Sequence, residues 1–131
     1  MIQAYIDGAS RGNPGPSSIG VVLVRQGVEK KIGLYIGKNT NNFAEYTALI
    51  VALVEALKER EKELIVFSDS SLLVNQVQGK FKVKNPVLFS LHILCQHLIK
   101  GFDKFEITHI TRDKNIIADR IANEALDRIG L

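Results

Sequence analysis

The stretch Thr40-Asn41-Asn42-Phe43-Ala44-Glu45-Tyr46 runs into Ala48, Val51, Leu53, Val54 and Leu57, and then gives way to Glu63-Leu64-Ile65-Val66-Phe67-Ser68-Asp69. Side-chain oxygens at 40–42 can accept hydrogen bonds from the free N–H groups that open a helix. The apolar recurrence across residues 43–60 has the spacing of one helical face, which predicts an amphipathic helix. Residues 63–68 are short, apolar and partly β-branched, so they read as a largely buried strand. A helix feeding a strand in this way crosses one face of a sheet, and the strand it enters normally runs parallel to the one it left. The chain is therefore expected to be α/β.

Before this crossover, residues 2–7 read as a strand. Residues 8–16, Gly-Ala-Ser-Arg-Gly-Asn-Pro-Gly-Pro, are so rich in glycine and proline that they read as a loop. Residues 19–25 are a second strand, Gln26-Gly27 a turn, and residues 30–37 a third strand in which Ile32, Leu34 and Ile36 alternate with polar or small neighbours. After the crossover, residues 70–77 read as a short helix ended by Gly79. Asn85-Pro86 opens another helix, with Leu88, Leu91, Leu94 or Cys95, and Leu98 facing the core. Residues 104–110 are a fifth strand. Residues 115–129 are a last helix, with Ile117, Ile121, Ala125 and Ile129 in register and Gly130 just past its end. The expected architecture is a five-stranded mixed sheet in a single domain, residues 1–131. Strands 1–3 form an antiparallel meander, strands 4 and 5 run parallel to strand 1, and about four helices flank the sheet.

Composition narrows the function classes. At 131 residues with 46% apolar residues, the chain can build one buried core. A net charge of +3 suits a polyanionic partner without requiring one. The single cysteine, Cys95, cannot form an internal disulfide and lies in an apolar run, which fits a buried thiol in a reducing compartment. There is no basic leader, and no run approaches the ~20 apolar residues needed to span a bilayer. These features predict a soluble cytoplasmic protein without membrane association, and nothing in the sequence demands more than a monomer.

The topology places chemistry at one sheet edge. Strands one and four, being parallel, end on the same side, with Asp7 closing the first and Asp69 the fourth. Glu45 lies in the first turn of the helix that leaves strand three at that edge, and Asp119 lies one turn into the final helix. Singly, each acid has an ordinary reading as a turn residue or a helix-dipole partner. Jointly, four carboxylates converge where open α/β sheets bind ligands. Such a cluster repels itself, and a divalent cation resolves the conflict. Hard oxygen ligands favour Mg²⁺ or Mn²⁺, and no Cys/His spacing suggests zinc. Two such ions about 4 Å apart can activate water and stabilise a leaving oxygen at phosphorus.

The motifs around these acids are Tyr5-Ile6-Asp7-Gly8-Ala9-Ser10 with Gly12-Asn13-Pro14-Gly15-Pro16, then Thr40-Asn41-Asn42-Phe43-Ala44-Glu45-Tyr46. Next come Ser68-Asp69-Ser70 leading into Leu73-Val74, and finally His109-Ile110-Thr111-Arg112-Asp113 with Asn115, Ala118-Asp119 and Ala122-Asn123. In this order, across nearly the whole chain, they resemble ribonuclease H, type 1. The resemblance implies the ribonuclease H-like fold and hydrolysis of the RNA strand of an RNA/DNA hybrid, leaving 3′-hydroxyl and 5′-phosphate ends. By position, it implies that Asp7 bridges two metal ions and that Asp69 holds the ion near the attacking water. Asp119 and Glu45 would complete the shells, with Glu45 also near a ribose 2′-hydroxyl. Gly8 would allow close backbone approach. Asn13, Asn41, Asn42 and Ser71 would hydrogen-bond sugars and base edges in the minor groove, and Thr40 would bind a DNA-strand phosphate.

The chain departs from the pattern twice. It resembles a short branch lacking the basic, tryptophan-bearing insertion, since there is no Trp and Gly79 leads through Lys80-Phe81-Lys82-Val83-Lys84 directly to Asn85-Pro86. Lys80 and Lys82 are candidates for phosphate contact or for a solvated basic loop, and Phe81 reads as a core plug more than a stacking platform. At the auxiliary position, Arg112 is favoured near the leaving phosphate, with His109 as the alternative. His92 and His97 read as structural or surface residues. Two other functions remain open at this point: another nuclease of the same fold, and a nucleic-acid-binding module weak or lacking in catalysis.

Overall fold

The computed structural model describes residues 1–130. Its elements are β1 (Ile2–Ser10), β2 (Gly15–Arg25), β3 (Val28–Asn39), α1 (Asn41–Lys58), β4 (Glu63–Ser68), α2 (Ser71–Val77), α3 (Pro86–Ile99), β5 (Lys104–His109) and α4 (Ile116–Arg128), with a 3₁₀ turn at Arg112–Lys114 before α4. The five strands lie in the order β3-β2-β1-β4-β5. β2 is antiparallel to both β1 and β3, while β4 is parallel to both β1 and β5. This is the expected mixed sheet, with the crossover α1 connecting β3 to β4.

The alternation of β1 sends Ile2, Ala4 and Ile6 into the core, where they meet Leu49, Leu53 and Ala52 of α1 and Leu64 and Val66 of β4. Helix α3 packs over α1 through Leu88 and Cys95, and α4 covers the opposite face. That second contact depends on Gly20 of β2, because a Cβ there would lie 2.1 Å from the carbonyl oxygen of Ala118. The small residues Ala118 and Ala122 thus sit almost on the strand, and the Ser18 hydroxyl donates to the Ala122 carbonyl.

Several boundaries and faces differ from expectation. Residues 8–16 are not a loop throughout: β1 continues to Ser10 and β2 begins at Gly15, paired up to Ser10 with Ser17. Only residues 11–14 form a tight connection, while Gly8, Gly15 and Pro16 lie within the strands, where the ladders pair them. In α3, Cys95 is the buried member of the Leu94/Cys95 alternative and Leu94 is exposed. In α4 the buried stripe is Ala118, Ile121, Ala122, Ala125 and Leu126, which turns Ile117 toward solvent; Ile129 lies past the helix end and is also exposed. The close approach over Gly20 fixes this rotation. Val54 of α1 and Leu34 of the edge strand β3 are exposed too, and Phe81 is 51% exposed, so it plugs no core.

Candidate active site

Asp7 lies within β1, which continues to Ser10, and does not close the strand; parallel pairing of Ile6 with Ser68 brings the end of β4 beside it, which sets Asp7 next to Asp69. Helix α1 begins over the same edge. Its Thr40 cap accepts the Phe43 N–H at 3.2 Å, which fixes the first turn and directs Glu45 inward. The Glu45 carboxylate accepts the Gly8 N–H, and a Cβ on Gly8 would stand 2.5 Å from the Glu45 nitrogen. Glycine at position 8 is therefore required by the packing of α1 on β1. One oxygen each from Asp7, Glu45 and Asp69 lie within 4.8 Å of one another. Asp119, in the first turn of α4, reaches the Asp7 carboxyl and shares with the other three acids a cavity of about 450 Å³.

Asp7 and Glu45 are buried while Asp69 is partly open. Burial, followed by repulsion from Glu45 and Asp69, pushes the Asp7 carboxyl up to about 9. Burial, followed by the charge of Asp69, pushes Glu45 up to about 8, against the Gly8 N–H and the Arg112 cation, which favour its ionised form. Acids so reluctant to ionise alone form a set of hard oxygen donors suited to divalent cations. The donor set fits a divalent cation.

The other expected site residues divide by position. Gly8, Asn41, Asn42 and Arg112 line the acidic cavity. Asn13 lies beside it, and its Oδ1 accepts the Asn41 N–H at 3.0 Å, tying the β1–β2 connection to the start of α1. Thr40 is engaged in capping. Ser71, Lys80 and Lys82 lie outside the cavity. Ser71 starts α2 and accepts from Asn75, while the Lys82 carbonyl accepts from Gln76, whose Oε1 in turn accepts a hydrogen bond from the buried Tyr46 hydroxyl at 2.6 Å. His109 is exposed at the end of β5, paired with Ser68, and does not line the cavity. His92 packs edge-on to Tyr46, away from the acids.

Three lining or supporting residues had been given no role from sequence. Ser10 and Asn123 line the cavity, and the Asn123 amide donates to the Asp119 carbonyl at 3.0 Å and its carboxylate at 3.3 Å. The spacing of four residues from Asp119 was the available signal. Asn115 is 2% exposed and donates to the Ile6 carbonyl at 2.8 Å and to Asp69 at 3.0 Å. Its place before a helix suggests a cap, yet its side chain makes no capping hydrogen bond.

A family model described as reverse transcriptase-like matches residues 5–125. A ribonuclease HI from Halobacterium salinarum is 44% identical over 96% of this chain and 64% of that protein. A ribonuclease H from Pseudomonas putida is 33% identical over 98% of this chain and 95% of that protein. The chain thus spans less than two thirds of the Halobacterium relative, and 34% of a Mycobacterium tuberculosis protein described as bifunctional, at 41% identity over 92% of this chain. Among solved structures, a ribonuclease H1 from Halobacterium salinarum superposes with a TM-score of 0.94 at 43% identity, covering 97% of this chain and 98% of that one. A ribonuclease H1 obtained from compost, solved in complex with an RNA/DNA hybrid, gives 0.93 at 40% identity, with both chains fully covered.

Proposed function

Because this chain belongs to the ribonuclease H family, we propose that it is an endoribonuclease that hydrolyses the RNA strand of RNA/DNA hybrids, leaving 3′-hydroxyl and 5′-phosphate ends. The observation that carries this reading is the convergence of Asp7, Glu45, Asp69 and Asp119 on one cavity at the carboxyl edge of the sheet. A relative solved with an RNA/DNA hybrid supports the choice of substrate. Residues 1–131 are read as one ribonuclease H domain, acting in the cytoplasm as its single buried thiol suggests. No helix of the described residues is long and apolar enough to cross a membrane.

The four carboxylates would hold two divalent ions, Mg²⁺ or Mn²⁺, and Asp7 faces all three other acids. Such ions supply charge neutralisation at phosphorus and a water activated for in-line attack. The chain does the positioning. Gly8 fixes Glu45 through its N–H, and Asn115 fixes Asp69. Asn41 and Asn42, at the open start of α1, present amides that can bond a minor-groove edge, and Glu45 below them can accept from a ribose 2′-hydroxyl, which DNA lacks. Asn13 supports this edge through Asn41. Arg112 provides the cation on the cavity wall for a leaving phosphate. Ser71, Lys80 and Lys82 extend the surface beyond the cavity for contacts with the backbone, with Thr40 on the DNA-strand side.

Incubation with labelled RNA/DNA hybrid, duplex DNA and duplex RNA, with Mg²⁺, Mn²⁺ or EDTA, tests the reading. Metal-dependent cutting confined to the RNA of the hybrid is expected. Equal cutting of duplex DNA, or tight binding to the hybrid without cutting, would overturn it.

A further inference from the structure

One oxygen each of Asp7, Glu45 and Asp69 lie within 4.8 Å of one another, and Asp7 and Glu45 are buried. Asp119 differs from these three. It is exposed on the first turn of α4, reaches the Asp7 carboxyl and stands outside that compact group. An exposed Asp side chain has several staggered orientations open to it unless a neighbour selects one. The neighbour here is Asn123, one turn further along α4. Its Nδ2 donates to the Asp119 carbonyl at 3.0 Å and to the Asp119 Oδ1 at 3.3 Å. A single nitrogen bonded to the main-chain and side-chain oxygens of one residue fixes the carboxylate relative to its own backbone. Asn123 is anchored in turn from across the fold. The Arg11 guanidinium donates to the Asn123 carbonyl at 3.4 Å and to the Asp127 carboxylate at 2.6 Å, which links the β1–β2 connection to this stripe of α4.

We propose that Asn123 is a positioning residue for metal binding, holding the Asp119 carboxylate toward Asp7 so that a divalent ion finds this ligand already in place. The proposal rests on the four acids being metal ligands, as argued above. The surroundings of the other acids follow the same pattern: Glu45 accepts from the Gly8 N–H and Asp69 from the Asn115 amide, so each acid around Asp7 has one neutral N–H donor. A neutral donor orients a carboxylate and leaves its charge for the metal. A Lys or Arg in its place would compete with the ion for the same oxygens. The residue type also argues for a role at the site. Asn is a poorer helix former than Ala, because its amide competes with the backbone for hydrogen bonds, and α4 uses Ala at 118, 122 and 125. Helix stability alone would favour Ala at 123 as well.

Metal binding can be read without substrate, from the melting temperature as Mn²⁺ is added to metal-free protein. In Asn123→Ala, the Mn²⁺ concentration needed for a given rise should increase about tenfold, as for loss of a group that orients a metal ligand. The melting temperature in EDTA should not fall, since Ala favours the helix. Asp119→Asn should weaken Mn²⁺ binding at least as much, and adding Asn123→Ala to it should cost little more, because the amide acts through that carboxylate. With labelled hybrid, Asn123→Ala should approach the wild-type rate at high metal, with KM for the hybrid unchanged. An unchanged Mn²⁺ response in Asn123→Ala would overturn the proposal, and so would fully additive losses in the double variant. A cleavage defect that no metal concentration repairs would assign Asn123 to the substrate instead. Wild-type protein that binds Mn²⁺ but leaves the hybrid uncut would refute the proposed function alone, and the Mn²⁺ comparison would still decide the role of Asn123. A wild-type melting temperature indifferent to Mn²⁺ would overturn both.

Discussion

Asn115 ties down Asp69: its side-chain amide lies 3.0 Å from the Asp69 carboxylate and 2.8 Å from the carbonyl of Ile6, joining the start of α4 to β1 and to the end of β4. Its Oδ1 is buried without a protein partner. Asn115→Ala removes the clamp and leaves the Ile6 carbonyl short of a donor, which should cost about 1–3 kcal/mol of stability. Loss of a group that orients a metal ligand should also weaken metal affinity ~10–100-fold. Cleavage measured against Mg²⁺ concentration should therefore recover substantially at high metal. An unchanged half-saturating Mg²⁺ concentration would leave Asn115 with a role in folding only.

Substitutions of the acids themselves should not be rescued. Asp69→Asn keeps the side-chain volume and removes a charged ligand, so hybrid cleavage should fall by orders of magnitude while the fold remains intact. Full activity in this variant would mean that the site has been wrongly assigned.

The raised carboxyls make stability depend on pH in a predictable direction. Burial and mutual repulsion push the Asp7 and Glu45 carboxyls well above their ordinary values of 3.8 and 4.5 in the folded chain. The folded state therefore binds more protons than the unfolded state between the ordinary and the raised values, and stability falls as pH rises through that window. In EDTA the melting temperature should drop from pH 6 toward pH 9, and Asp7→Asn should raise it by about 5 °C at the alkaline end. Added Mg²⁺ should stabilise the wild type more at high pH than at low, because it competes with protons for the same oxygens. A melting temperature flat across this range in EDTA would contradict the burial of the pair.

Gly8 offers a test of geometry independent of charge. The space for a Cβ is occupied by the backbone of Ala44 and Glu45, at 2.6 and 2.5 Å, which cannot swing aside as a side-chain tip can. Gly8→Ala should displace the start of α1, destabilising the protein by about 1–3 kcal/mol. It should also lower activity more than that loss explains, since Glu45 moves with the helix. Urea unfolding together with kinetics under fully folded conditions separates the two effects.

The sheet order and the meeting of the four acids were legible because both follow from chain direction. An Asp on each of two strand segments and an acid near the start of each of two helices suffice once the crossover makes β4 parallel to β1, although β1 runs on past Asp7 to Ser10. Helix rotation was less legible. α4 was read from Ile117, Ile121, Ala125 and Ile129, but the glycine that lets it approach lies about a hundred residues earlier in β2, and only the folded contact shows that Ala118 and Ala122 face the strand. Asn115 escaped for a similar reason, because its partners come from β1 and from the end of β4. The glycine and proline content of residues 8–16 misled in the other direction: Gly8 serves a close helix contact inside a strand, not a turn.

Arg112 and His109 occupied alternative readings of one auxiliary role, and their positions differ enough to separate them. Arg112 lines the acidic cavity and its charge favours the ionised form of Glu45, whereas His109 points from the exposed end of β5 outside that cavity. Arg112→Ala should lower kcat about tenfold or more, as expected for loss of one stabilising group at a developing charge, with a smaller change in KM. Removing the cation also raises the Glu45 pKa further, so the acid limb of the pH–rate profile should move to higher pH. Arg112→Lys should restore the position of that limb but not the full rate, because an ammonium lacks the planar fork that grips a phosphate. His109→Ala should leave both the rate and the profile unchanged. The reverse pattern, with His109→Ala slow and Arg112→Ala near normal, would transfer the role to the histidine and require β5 or the loop after it to move when the hybrid binds.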